Sequence, residues 1–276
     1  MKKLLLSIAI LTLAIFSVGC SNEKSGSEKK VEVKVGVSGT DNRVWDYVAK
    51  KAEKEGIKVE IVRFSDYVQP NIALAEGELD ANAFQTASYF DSFIAEHKLK
   101  LAPIATTVLA PMGIYSEKYK KVKDIPDGSK IAVPNDVSNM GRALLLLQES
   151  GLIKLKEGFD GTGSLEDIVE NPKNLKIIEV VAAQTPRVLP DVAASIINNG
   201  IAVDAGFNPT KDSIFHESET ATPYVNIIAT REEDKNNKTL KRLAELYQED
   251  DVAELIEKEY KGSQIPTFIP LSKIGW

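Results

Sequence analysis

The chain has 276 residues, 43% of them hydrophobic, enough to fill the core of one large domain or two ordinary ones, and a disordered or fibrous chain is excluded. A formal net charge of −6 arises from 34 Lys and Arg against 40 Asp and Glu with no long block of one sign, so no nucleic-acid partner is expected. One Cys and two distant His, His97 and His216, build neither a disulfide framework nor a Cys/His zinc site, and no clustered Asp/Glu motif marks a hard-cation site. No metal and no cofactor is expected.

Residues 1–19 have the charged start, the apolar stretch and the small-residue exit of an export signal, and the apolar stretch is too short for an ordinary spanning helix. Cys20 follows Val18 and Gly19 as in a lipobox, which implies diacylglycerol attachment to Cys20 and cleavage before it; Ser17 stands where Leu is usual. An uncleaved or conventionally cleaved signal is the alternative. Residues 20–30 are polar and rich in Ser, Gly and charge, and read as a lipidated flexible tether. An acidic body is repelled by anionic lipid, so it stays at a membrane only if anchored. The expected location is the extracytoplasmic face of the cell membrane.

The folded body starts near Val31. Alternation and β-branching predict a strand over 31–37, and a turn with capping residues leads into a helix over 43–55, stopped by Gly56. A strand over 58–64, a helix over 66–76 ending at Gly77 and a short strand over 78–84 complete a β-α-β-α-β unit. The order recurs: a strand over 130–134, a helix over 140–150 stopped by Gly151, a strand over 175–181, a helix over 190–198 ending at Asn199-Gly200, and a closing strand over 201–207. Two such units predict an α/β, two-lobed protein, each lobe a mainly parallel sheet flanked by helices. Residues 105–115 are the expected crossing between lobes, and a return near 223–228 brings helices over 238–248 and 252–259 back to the first. Lobe one is then 31–108 plus 225–276, and lobe two is 109–224. Ligands of such folds bind at the carboxyl ends of the strands, here between the lobes.

Several runs carry a resemblance: Phe64-Ser-Asp-Tyr-Val-Gln-Pro-Asn71, Asp80-Ala-Asn-Ala-Phe-Gln85, Val133-Pro-Asn-Asp136, Asn139-Met-Gly-Arg-Ala-Leu-Leu-Leu-Leu-Gln148, Glu170-Asn-Pro-Lys-Asn-Leu175 and Pro223-Tyr-Val-Asn226. From Val31 to Trp276 the chain resembles the MetQ/NlpA family of substrate-binding lipoproteins of methionine-type ABC importers. The resemblance implies the two-lobed binding-protein fold, an amino-acid ligand with methionine favoured, an ABC permease with its ATPase as partners, and a monomer.

A free amino acid presents an α-carboxylate, an α-ammonium and a side chain. A planar guanidinium can take a carboxylate through two parallel hydrogen bonds, and Arg142, read in the first turn of a helix beside Asn139 and Gly141, is the candidate. The alternative is a solvated surface Arg; Gly141 allows close approach of another chain or of a ligand. Asn198 and Asn226 match family pocket positions and offer amide oxygens to an ammonium and NH₂ groups to a carboxylate. A helix C-cap is the other reading of Asn198. By the resemblance, Tyr67, Phe84 and Tyr89 form the aromatic wall that packs on a thioether, where core packing is the alternative for each. Asn82 and Gln85 are read either as cleft residues or as support beneath them. Thr86 departs from the family pattern, which has His after Phe-Gln, so D-methionine, a Met-containing dipeptide or another amino acid stands behind methionine as ligand.

No Gly-x-Ser-x-Gly elbow is present and the only Cys is the expected anchor, so no enzyme activity is expected. The glycine-rich residues 158–164 lack the Lys-Ser/Thr pair of a phosphate loop and read as a surface loop. An adhesin or scaffold lipoprotein with a vestigial cleft is the rival reading.

Overall fold

The computed structural model describes residues 31–218 and 222–276, so the expected signal peptide, Cys20 and the tether lie outside the described residues. Among the described residues no helix is long and apolar enough to cross a membrane, and no group of three or more His, Cys, Asp or Glu could hold a metal ion.

The first unit runs β1 (Val31–Ser38), α1 (Arg43–Lys54), β2 (Ile57–Phe64), α2 (Gln69–Ala75), β3 (Ala81–Thr86), α3 (Ala87–His97) and β4 (Leu101–Leu109). The β1–β2 pair is parallel along its whole length, from Val31 opposite Ile57 to Ser38 opposite Phe64. Alternation in β1 buries Val33, Val35 and Val37 against Val44, Trp45 and Val48 of α1. The second unit runs β5 (Gly113–Tyr115), β6 (Lys130–Pro134), α4 (Val137–Glu149), the small hairpin β7 (Lys154–Leu155) with β8 (Ile168–Glu170), β9 (Lys176–Val180), β10 (Ala194–Ile197), α5 (Asn199–Asp204) and β11 (Ser213–His216). The chain then returns through β12 (Val225–Arg231), α6 (Lys238–Tyr247), α7 (Asp250–Tyr260) and β13 (Ile265–Pro266).

Sheet one has the order β13-β4-β12-β3-β1-β2 and sheet two β11-β5-β10-β6-β9. Setting β13 aside, the orders superimpose: three parallel strands, then a strand running against them, then an edge strand antiparallel to that one. The duplication expected from the sequence is therefore present in topology, and the fold is the expected two-lobed α/β architecture. The chain crosses between sheets twice, through Ala110–Met112 and between His216 and Val225. Helices α6 and α7 pack on lobe one as expected, with Leu243, Val252 and Ile256 in the cluster that holds the β1 valines. Lobe two has its own core, where Leu144 and Leu147 of α4 meet Ile131, Val133 and Ile196.

The second half of that duplication needs correction. No helix spans 190–198 and no strand spans 201–207: the strand is Ala194–Ile197, and the helix follows it as Asn199–Asp204. In place of a partner to α2, two 3₁₀ turns, Ala182–Gln184 and Leu189–Asp191, lead into β10. Gly200 therefore lies inside α5 and does not correspond to Gly77, a positive-φ turn glycine ahead of β3. Helix α4 starts at Val137, earlier than expected, because Asp136 caps it by accepting from Asn139 N at 2.9 Å.

Candidate functional site

The carboxyl ends of β1 and β3 face the first turns of α4 and α5 across a cavity of about 160 Å³. Tyr67, Phe84, Thr86, Tyr89 and Asn226 line it from lobe one; Asn139, Arg142 and Asn198 line it from lobe two. The sequence reading scatters these eight residues over 160 positions of chain, roughly, and the fold brings them to one chamber, as cleft-facing strand ends do.

Lobe one supplies an apolar wall. The rings of Tyr67, Phe84 and Tyr89 form a triangle with centroids 5.8, 5.9 and 6.2 Å apart, and Tyr89 donates its hydroxyl to the Tyr67 carbonyl at 2.9 Å. Burial raises the pKa of both phenols, so they stay neutral. Beneath the wall, Asn71, Asn82 and Gln85 bond to one another: Asn71 Nδ2 donates to Gln85 Oε1 at 2.7 Å, and Gln85 Nε2 donates to Asn71 Oδ1 at 2.7 Å and Asn82 Oδ1 at 2.9 Å. Asn82 thus supports the wall from below, while Gln85 both joins the network and touches the cavity. Thr86 caps α3, its Oγ accepting from Tyr89 N at 3.1 Å, and lies opposite Asn226 in the β3–β12 register. Asn226 donates through Nδ2 to Val108 O at 3.2 Å.

Lobe two supplies polarity with a fixed direction. The Asp136 carboxylate accepts from Asn139 Nδ2 at 3.0 and 3.1 Å, which turns Asn139 Oδ1 toward Asn198, whose Nδ2 donates to it at 2.7 Å. An ionised carboxylate only accepts, so the relay has one sense and leaves Asn198 presenting its carbonyl oxygen. That oxygen is buried and has no partner among the described residues. Asn198 is the N-cap of α5 rather than the C-cap of a preceding helix, and its side chain makes no capping bond.

Arg142 is 2% exposed, which excludes the solvated alternative, and it lies in the second turn of α4 rather than the first. The fork expected to hold a ligand carboxylate is engaged by the protein itself. Nε donates to Glu217 Oε1 at 2.7 Å and Nη2 to Glu217 Oε2 at 2.6 Å, with a further bond from Nη2 to Ala110 O at 3.0 Å. Tyr224 lies beneath the guanidinium, 4.4 Å from its carbon to the ring centroid. Nη1 is the guanidinium nitrogen not spent on Glu217 or Ala110. Gly141 serves chain packing: a Cβ there would collide with the carbonyl of Gly161, where the otherwise largely exposed loop 158–164 touches α4.

Besides Glu217, sequence reasoning missed three further participants. Asn199 donates to Ser263 O at 2.7 Å and Pro111 O at 3.3 Å, tying α5 to lobe one, and its Oδ1 is also buried without a partner among the described residues. Asp204 accepts from Thr40 N at 2.9 Å and Thr40 Oγ at 2.8 Å, across the mouth. Trp45 lines the same cavity from lobe one. A third interlobe contact joins the hydroxyls of Ser88 and Ser138 at 3.0 Å. Asn199 and Asp204 reach the cavity because the helix follows the strand at 190–207, the inverse of the order the sequence suggests.

The NlpA lipoprotein family profile matches residues 33–268. The chain belongs to that family. It is 43% identical over 262 residues to the D-methionine-binding lipoprotein MetQ of Escherichia coli (strain K12), covering 94% of this chain and 96% of that protein. It is 40% identical over 275 residues to the uncharacterized lipoprotein YhcJ of Bacillus subtilis (strain 168), covering 100% and 97%. Among solved structures it is similar, at 49% identity and a TM-score of 0.82, to a nutrient binding protein from Burkholderia cenocepacia bound to methionine, covering 86% of this chain and 100% of that one.

Proposed function

We propose that this NlpA-family member is the substrate-binding lipoprotein of an ABC importer and that it captures methionine between its lobes. The observation that carries the reading is the pairing across one small cavity of a three-ring apolar wall with a buried amide oxygen that lacks a donor among the described residues. A thioether fits the first: sulfur–aromatic contacts contribute about 0.3–1.5 kcal/mol and the rings bury the methylene groups. An α-ammonium fits the second, donating to Asn198 Oδ1. Arg142 Nη1 and the Asn226 amide then take the α-carboxylate, and Thr86 bounds the chamber where the family pattern has His. The volume of about 160 Å³ is close to the ~150 Å³ that admits one benzene in an engineered core, which suits a single amino acid better than a dipeptide. The relatives' names bring D-methionine into the reading beside methionine.

The lobes, 31–108 with 225–276 and 109–224, close as units about the two crossings. Shifting such an equilibrium from 1:99 to 99:1 takes about 5.5 kcal/mol of differential affinity, within reach of several buried hydrogen bonds and one charge-assisted bond. Diacylglycerol on Cys20 holds the monomer at the extracytoplasmic face, and a partner ATPase acting through the permease drives uptake; the chain itself catalyses nothing. Mass spectrometry of the small molecules released when the purified protein is denatured tests the reading, with calorimetry of the refolded protein against an amino-acid panel. Methionine in the released fraction and the tightest binding for methionine are expected. A different ligand class, or no heat with any amino acid, overturns it in favour of another cargo or a scaffold.

A further inference from the structure

We infer that Glu217 is the specificity-determining residue that makes the cleft select a zwitterion over an anion, by cancelling the charge of Arg142 before any ligand arrives. The inference rests on the proposed amino-acid site and deepens it. The Arg142–Glu217 pair is buried from both sides, with side-chain exposures of 3% and 8%, so water does little to screen it and the two charges act as one neutral unit. The remaining charged side chains on the cavity wall are acids, Asp41 and Asp204. Asp41 is matched by Arg43 at 2.6 Å, and among the described residues Asp204 receives only the neutral donors of Thr40. Behind Asn139 stands a further carboxylate, Asp136. Among the described residues the chamber thus has no surplus positive charge. A carboxylate enters favourably only with a cation of its own nearby, and an α-ammonium over Asn198 is that cation.

Glu217 also fixes where the guanidinium points. Its Oε2 accepts from Met112 N at 2.7 Å and its own N donates to Met112 O at 3.0 Å, so the carboxylate is tied to the first crossing segment while residue 217 begins the second. With Nε and Nη2 held there and Nη2 shared with Ala110, Arg142 offers a ligand one N–H-bearing nitrogen rather than a bidentate fork. Discrimination against anions then comes from a charge already spent, a repulsive element built into the pocket.

The test is calorimetry of L-methionine and of its 2-hydroxy acid, which keeps the carboxylate and thioether but has a hydroxyl in place of the ammonium. It is run on the wild-type protein, on Glu217→Gln and on the charge-neutral double variant Arg142→Gln with Glu217→Gln, each checked for folding by circular dichroism. Glu217→Gln should shift the ratio of the two dissociation constants by about tenfold toward the hydroxy acid, because the uncancelled guanidinium then rewards an anion. The double variant should bind both ligands more weakly and keep the wild-type ratio within about threefold, since the pair remains neutral. If Glu217→Gln weakens both ligands by one factor, Glu217 is merely structural and the inference fails. Where Glu217→Gln does not fold, the double variant decides: a ratio shifted about tenfold against the hydroxy acid means that Arg142 carried free charge, and the inference is overturned. A wild-type protein that binds methionine while either variant gives the contrary ratio leaves the functional reading intact. A wild-type protein that binds no methionine overturns that reading and this one together.

Discussion

The joints between β3 and α3 and between β10 and α5 occupy the same place in the two lobes, yet their capping residues do opposite work. At the first, Thr86 turns its hydroxyl onto Tyr89 N and closes the start of α3. At the second, Asn198 leaves the first turn of α5 without a side-chain cap, gives its NH₂ to Asn139 and keeps a buried carbonyl with no partner among the described residues. One lobe satisfies its backbone; the other holds a hydrogen-bonding group in reserve. A duplicated fold has thereby made one joint structural and the other receptive, and an unpaired buried polar atom of this kind costs stability unless something binds it.

Substitutions should separate the two roles. The largest effect is expected at Arg142, which backs the receptive side: Arg142→Ala leaves Glu217 buried without a cation and should cost about 3–5 kcal/mol in urea unfolding, along with binding. A cost near zero would mean that water reaches the pair. At the receptive joint, Asn198→Ala should weaken methionine binding by about 1.5–3 kcal/mol, measured by titration, the range for a hydrogen bond to a charged group, while shifting the unfolding midpoint little. The structural joint should invert that pattern. Thr86→Ala should lower stability by about 1 kcal/mol through the lost cap, with the smaller change in affinity. Equal effects on both properties at both joints would erase the distinction drawn between them.

The smallest expected effect is a pH dependence of the receptive joint. Burial is the main cause that raises the Asp136 pKa above the ordinary carboxylate value, against the hydrogen bonds from Asn139 that lower it. The ionised form orients Asn139 and, through it, Asn198. Acidification through that raised pKa should therefore weaken methionine binding. The linkage to folding has the opposite sign: a carboxyl with a raised folded pKa contributes stability below its unfolded pKa and loses it as pH rises through the folded one. Affinity titrations and unfolding midpoints taken over one acidic pH series check both directions, and Asp136→Asn should flatten the affinity trend.

How far each joint could be read from sequence follows the same division. Elements with long periodic signals were legible: the alternating β1, the amphipathic α1, and the pair α6 and α7 all lie close to their expected positions. The stretch 190–207 was not. A four-residue strand buried on both faces, Ala194–Ile197, shows no alternation, and Asn199-Gly200 signals a helix stop as readily as it sits in a helix start. Ile201 and Val203 then lent β-propensity to a helix whose identity tertiary packing decides, with Ala202 fully buried. The eight residues expected through resemblance line one cavity. Glu217 was not legible, because its contact with Arg142 spans 75 positions and is made by the two crossings, for which no local pattern exists.

Capture by the cleft depends on a methionine whose ammonium completes Asn198. Isothermal titration of ligand-stripped protein with L-methionine, wild type beside Asn198→Ala, tests it most directly. One site per chain is predicted, with the variant weaker by at least about tenfold, the 1.4 kcal/mol that one charge-assisted hydrogen bond readily supplies. Absence of heat in the wild type, or identical isotherms for the two proteins, would contradict it.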